Sequence, residues 1–153
     1  LVYYMLIKLD LFCYKKIGDM NILKLQGLDS RLFNLVAPLV MSPAVLRQNN
    51  NYPFKTTRNH VWYIAVNEGR VLGFMPVKMT LMNNCIDNYY ISGDNPTVIE
   101  GILDRIIHDF SSDGSLVAVV HKRHVEGFST KGFIPYFEWK KYIKMRYHEG
   151  GRS

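Results

Sequence analysis

The chain has 153 residues, enough for one ordinary domain that buries roughly 68–70% of its unfolded surface, so no metal or disulfide staple is required. Hydrophobic residues at 48%, aromatics at 13% and charges at 21% lie near globular averages and exclude disordered, collagen-like and coiled-coil chains. The net charge of +6 is uneven, with five basic residues and one acid in Trp139–Ser153; it speeds encounters with phosphate-bearing partners without choosing among them.

The chain opens on Leu1, and residues 1–19 are read as an N-terminal extension outside the fold, with a single domain over 20–153. Lys8 and Asp10 interrupt the apolar opening, so neither an export signal nor a membrane span is expected. Cys13 and Cys85 are far apart and match no disulfide or metal spacing, which points to a reducing, cytoplasmic setting.

Ile22 to Gln26 alternates like a strand. Gly27 then breaks it, and Asp29 and Ser30 offer N-cap oxygens to a helix carrying Leu32, Leu35, Val36 and Leu39, which Pro38 should limit or kink. Ser42 and Pro43 start a second short helix through Leu46, ended by Asn49, Asn50 and Asn51.

Val61 to Val66 and Val71 to Thr80 are β-rich and flank a turn at Asn67 to Arg70, with Gly69 where a left-handed residue is needed. Cys85 to Ser92 reads as one further strand, closed by the turn residues Gly93 to Pro96. Thr97 to Phe110 is the clearest helix, with Val98, Ile99, Ile102, Leu103, Ile106, Ile107 and Phe110 on one face. Gly101 within it suggests a close neighbour.

Leu116 to Val120 is a continuous apolar strand of the buried kind. A helix from about His124 ends at Gly132, and the aromatic run from Phe133 to Tyr147 forms one bent strand or a short hairpin. The expected fold is α/β, one mixed central sheet with helices on both faces.

This element order, together with the run His121 to Phe133, resembles the GNAT N-acetyltransferase superfamily. The family's frequent pattern Asn-x-x-Ala-x-x-x-Tyr-x-x-x-Gly-Phe falls on His121, His124, Phe128, Gly132 and Phe133. The resemblance covers Asn21 to about Tyr147 and implies a GNAT-like mixed sheet, acetyl-CoA as cosubstrate and transfer of its acetyl group to an amine. Three departures stand beside it. The family's phosphate loop, Arg or Gln-x-x-Gly-x-Gly or Ala, falls on Asp94 to Ile99, without its arginine and glycines. Phe128 occupies the place of a tyrosine that in many members protonates the leaving thiolate, and His121 replaces the usual asparagine.

The resemblance places the cofactor arm between Cys85–Ser92 and Leu116–Val120, against backbone at Tyr89, Tyr90 and Ile91. It places the pyrophosphate at the helix start formed by Asn95, Thr97, Val98 and Ile99, where helix N–H groups attract anions and Asp94 opposes them. His121 and Asp87 are the candidate catalytic groups, because a histidine exchanges protons near neutral pH and a carboxylate can orient or deprotonate an amine. Asn49 to Arg58, with Tyr52, Pro53, Phe54 and Lys55, stands where the family builds its acceptor wall, and its aromatic and basic mixture suits an acidic or planar substrate.

His121 and His124 form His-x-x-His, but no third ligand is evident and no metal is expected. The expected partners are a small-molecule or peptide amine and a second copy of the chain, with no membrane. Nucleic acid is disfavoured, since strand alternation already explains the basic and aromatic end. The alternative function is a GNAT-like binding or interaction module that no longer catalyses.

Overall fold

The computed structural model describes residues 19–112 and 114–149. The extension expected at residues 1–19 lies, up to residue 18, outside them. Eight strands form one sheet in the order β1-β2-β3-β4-β6-β8-β7, with β5 pairing β3 off that path. β1 is Asn21–Gln26, β2 His60–Asn67, β3 Arg70–Met79, β4 Asn84–Ile86, β5 Tyr90–Ile91, β6 Leu116–His121, β7 Phe133–Glu138 and β8 Tyr142–Tyr147.

The alternation of β2 shows how the layers form. Trp62 and Ile64 pack with Leu25, Leu32, Val36 and Phe74, while Tyr63 and Ala65 pack with Met75, Ile102 and Phe128. Helix α1, Ser30–Val40, therefore covers one face. Helices α3, Pro96–Phe110, and α4, Val125–Ser129, cover the other. Short α2, Pro43–Gln48, follows α1 with Pro43 in its first turn.

Of the expected caps Asp29 forms, Ser42 precedes its helix without a side-chain cap bond, and Asn95 caps a helix where the sequence had suggested only a turn. Asp29 accepts the Arg31 N–H, and Asn95 accepts that of Thr97. Pro38 lies inside α1, which still runs two residues further to Val40 before ending at Met41. α3 inserts Val98, Ile99, Ile102, Leu103, Ile106 and Phe110 into the larger core, each worth about 1.5–3 kcal/mol relative to exposure.

The β2–β3 turn is tighter than the sequence suggested. Asn67 pairs with Arg70, leaving Glu68 and Gly69, both at positive φ (50° and 74°), the signs of a two-residue hairpin turn. The chain's end is a hairpin rather than a bent strand: β8 pairs with β7 and inserts beside β6. Gly132, at φ 104°, makes the left-handed exit from the α4 segment that a side chain would resist.

β4 and β6 lie side by side and parallel, joined through α3, with Asn84, Cys85 and Ile86 opposite Leu116, Val117 and Ala118. The single strand expected over Cys85–Ser92 is instead broken. Val77 pairs with Ile86 and Phe74 with Tyr90, so Asp87, Asn88 and Tyr89 stand opposite only Met75 and Pro76. One extra residue is a β-bulge, and Pro76, with no N–H to give, is compatible with a lapse in pairing there. Beyond Ala118, β6 pairs with β8 while the other chain veers to β3. The parallel pair therefore opens at Asp87.

Candidate functional site

The opening between the strands is crossed by side chains rather than left empty. The His121 backbone N–H donates to the Tyr89 hydroxyl at 3.2 Å. Tyr89 Oη lies 2.8 Å from His124 Nδ1, and His124 Nε2 lies 2.6 Å from Asp94 Oδ1. With Nε2–H donating to the carboxylate, Nδ1 is left to accept the tyrosine proton. Asp94 also accepts from Arg123 Nε at 3.0 Å, and Arg123 donates to the Gln48 carbonyl at 3.3 Å.

A second branch runs toward α2. His121 Nε2 meets Asn49 Oδ1 at 3.2 Å. The Asn49 amide donates to the Tyr52 carbonyl at 2.7 Å and to Asn88 Oδ1, and Asn88 donates to the Pro53 carbonyl at 2.9 Å. The bulge is thus pinned to the end of α2 and the loop after it. Aromatic contacts fill the rest: Tyr89 packs against His121, His124 and Phe128 at centroid distances of 5.3, 5.6 and 5.6 Å, and Tyr142 lies 4.9 Å from His121.

Burial sets the protonation of this network. His121 and His124 are buried, as is Tyr89. Desolvation disfavours a charged imidazole, and it lowers the His121 pKa to about 4, helped by the neighbouring Arg123 and His124. His124 is also lowered by desolvation, against the pull of the Asp94 bond. Desolvation pushes the Tyr89 hydroxyl up. Burial likewise pushes up the Asp94 carboxyl, but the bonds from Arg123 and His124 outweigh it and hold the carboxyl below its ordinary value. Both imidazoles are neutral at pH 7.

On the α2 side of the opening is a cleft of about 270 Å³ lined by Tyr52, Asp87, Asn88, Val119, Trp139 and Tyr142. Asp87 supplies its one carboxylate, three aromatic rings its walls and Val119 its floor. Asn50 donates to the Tyr142 hydroxyl at 2.7 Å and fixes that wall.

The structure thus brings Asp87, Tyr89 and His121 to one opening. Tyr90 turns the other way, 5.7 Å from Phe74, and lines a separate hollow with Leu39, Arg70 and Ser92. Ile91, Val98 and Ile99 are core residues of the α3 side.

The helix start differs from the expectation of free donors. The Thr97 N–H goes to the Asn95 side chain, and those of Val98 and Ile99 go to the Asn95 carbonyl at 3.2 and 3.3 Å. Pro96 has no N–H. Asp94 is not the bare opposing charge expected either, because Arg123 and His124 meet it.

Sequence reasoning passed over Asn88 and Arg123, took Asn49 for the edge of the acceptor wall, and took Trp139 and Tyr142 for strand alternation in the basic and aromatic end. Asn49 reads as a helix terminator, and only its burial at 3% exposure reveals a structural polar group. Asp87-Asn88 within a β-rich run was the available signal for the bulge, since both residue types are depleted in strands.

Among the described residues, no group of three His, Cys, Asp or Glu side chains is arranged to hold a metal, and no helix is long and apolar enough to cross a membrane. No family model matches the chain, and no curated protein does.

Solved structures do match in fold. Escherichia coli ElaA superposes with a TM-score of 0.63 at 15% identity, covering 84% of this chain and 99% of that one. An acyl-CoA N-acyltransferase from Pseudomonas aeruginosa gives 0.65 at 14% identity, over 84% and 99%. A GNAT family acetyltransferase from Elizabethkingia anophelis with acetyl-CoA bound gives 0.54 at 12% identity, over 86% and 99%. The chain has the GNAT acetyltransferase fold, a mixed α/β sheet with helices on both faces.

Proposed function

We propose that the chain is an N-acetyltransferase that takes acetyl-CoA as cosubstrate and passes the acetyl group to an amine. The observation that carries this reading is the opening of β4 from β6 at Asp87, with a carboxylate-bearing cleft on one side and a helix start on the other. Fold likeness to acetyltransferases, one of them with acetyl-CoA bound, supports it.

In the proposed reaction the amine nitrogen attacks the thioester carbonyl carbon, a C–N bond forms and the C–S bond breaks, and the second proton that the nitrogen sheds passes by way of water or neutral His121 to the sulfur, so that coenzyme A leaves as the thiol. Asp87, in the cleft, would orient the incoming ammonium and receive its proton. Backbone N–H groups over Tyr89–Ile91 would polarise the carbonyl as it gains charge. His121, neutral with a pKa of about 4, has no second proton to give at pH 7. Its proposed part is to accept a proton in passing and to order the cleft through Asn49.

The pyrophosphate is proposed at Asn95, Thr97, Val98 and Ile99. Their N–H groups are satisfied internally, so attraction there rests on the helix dipole, worth about 0.3–1 kcal/mol, and on Arg123. The free thiol of Cys85 suits a cytoplasmic setting.

A second reading is favoured by a specific observation. Tyr89 and His121 already bridge the opening, and the helix-start donors are taken, as in a GNAT-like module that binds partners without catalysing. Titration calorimetry with acetyl-CoA, followed by thiol release in the presence of primary amines, separates the two. Micromolar binding with amine-dependent thiol release supports the transferase. Absence of acetyl-CoA binding leaves the binding module.

A further inference from the structure

The cleft at Asp87 opens onto a basic face. Val119, its floor, pairs with Lys144 on β8, and His121 pairs with Tyr142, so Lys144 stands beside the floor. Lys144 Nζ lies 5.1 Å from the ring centroid of Trp139, one wall of the cleft. Lys141 reaches the other wall indirectly, with Nζ 3.3 Å from Asn50 Oδ1, while Asn50 holds the Tyr142 hydroxyl. Asp87, Lys78 and Lys144 are all close enough for their charges to act on Cys85.

The cations around the cleft belong to those whose charge no carboxylate offsets, as do Arg47, Lys55, Arg58, Arg70, Lys140 and Arg146 among the described residues. Lys24, Arg31, Arg105, Lys122, Arg123 and Lys131 each lie within 4 Å of a carboxylate. Among the described residues, no carboxylate lies within that distance of Lys78, Lys141 or Lys144. The field over the cleft mouth is therefore positive around one exposed carboxylate, and charges set beside aromatic walls act on a ligand more strongly than in open water.

We infer that this cleft selects a primary amine carrying an acidic group, with the amine facing Asp87, the acidic group facing Lys144 and Lys141, and the connecting body between Tyr52, Trp139 and Tyr142. A volume of about 270 Å³ limits the enclosed part to a small molecule or the end of a larger one. Carboxylate and phosphate share the required chemistry. The inference rests on the transferase reading for what happens to the amine, but not for its binding.

The test uses amines paired so that only the acidic group differs: tyrosine against tyramine for a carboxylate, and O-phosphoethanolamine against ethanolamine for a phosphate. Binding to the full chain without acetyl-CoA is followed by Trp139 fluorescence, with Trp139→Phe as the control for Trp62, and thiol release is measured separately. The acid-bearing member of at least one pair should bind about tenfold tighter at low ionic strength, and the gap should shrink in about 1 M salt, where screening is nearly complete over 3 Å. Which pair shows it identifies the acid.

Lys144→Gln and Lys141→Gln should each narrow the gap severalfold; Lys141 is exposed, so its variant covers a folding defect in the first. Equal or tighter binding of the plain amines, or no binding of any of the four, overturns the inference. Preference without thiol release retains the cleft and removes the transferase reading. Thiol release with plain amines and no preference does the reverse.

Discussion

The backbone N–H of His121 donates to the hydroxyl of Tyr89 across the place where β4 and β6 part. That bond joins two strands that no longer share a ladder, and the same hydroxyl meets His124. One oxygen therefore satisfies a backbone donor and a ring nitrogen, all three in buried residues.

Tyr89→Phe tests its weight. The ring contacts survive, but a buried N–H and a buried imidazole nitrogen lose their partner, at about 1–3 kcal/mol for an unsatisfied group. Thermal unfolding should drop by roughly 3–10 °C for a chain this size. An unchanged melting temperature would show that water replaces the hydroxyl.

Stability should also fall on mild acidification. His121 has an ordinary pKa of 6.5 lowered to about 4 in the fold, and His124 is lowered too. The unfolded chain takes up protons near 6.5 while the folded one resists, so stability is intact above that pH and is lost as pH falls toward 4. The urea midpoint should decline across that window, and His121→Asn should flatten the decline. A midpoint flat from pH 7 to 4.5 would contradict the buried neutral imidazoles.

The sequence and structure agree where one principle acts alone. α3 follows from helical spacing of apolar residues within fifteen positions, and β6 from an unbroken apolar run. From these two the parallel pairing of β4 with β6 is readable, because an intervening helix makes the crossover. The bond between Asn49 and Asn88 joins residues 39 apart and leaves no local trace, since either asparagine alone reads as turn chemistry. The helix-start donors escape the sequence for a related reason: Asn95 reads as turn chemistry, whereas its side chain caps Thr97 and its carbonyl takes the Val98 and Ile99 N–H groups. Asp87 was legible as a carboxylate on the opening strand, but not the aromatic walls that Trp139 and Tyr142 bring from the end of the chain.

Two glycines should respond oppositely to alanine. At Gly101 a methyl group would meet Met20 Cε at 2.4 Å and otherwise only atoms at 3.8 Å or beyond. That flexible tip can turn aside, so Gly101→Ala should gain up to about 1 kcal/mol of helix propensity. At Gly73 the methyl would lie 2.7 Å from the Tyr90 carbonyl oxygen, on backbone paired through Ile91. Gly73→Ala should cost about 1–3 kcal/mol as an overpacked site. Chemical denaturation of both variants decides, and stabilisation at Gly73 would mean that the bulge can shift freely.

Asp94→Asn separates the network from the proposed pyrophosphate site. The amide keeps the size of the carboxylate but weakens the charge-assisted bonds to Arg123 and His124, costing about 1 kcal/mol of stability. It also removes a negative charge beside the α3 start and releases Arg123. Acetyl-CoA affinity, measured by calorimetry on the folded protein, should therefore rise severalfold. Weaker binding would place the phosphates elsewhere, and Asp94 would then matter only to the fold.

Asp87→Asn bears on the amine itself. Asp87 is exposed in the cleft and pairs with no cation within 4 Å among the described residues, so its replacement should shift the melting temperature little. If it orients and deprotonates the amine, kcat/KM for the amine should fall by about 10²–10⁴, the usual worth of a positioned general base. Acetyl-CoA affinity should stay within about threefold, because the change lies on the proposed acceptor side of the opening. Raising the pH should restore part of the rate, since more amine is then neutral without help. Full turnover in Asp87→Asn would transfer the amine's proton to water and leave the carboxylate as a binding group alone. A loss confined to KM at unchanged kcat would say the same, because uniform binding lost from ground and transition states alike raises KM only.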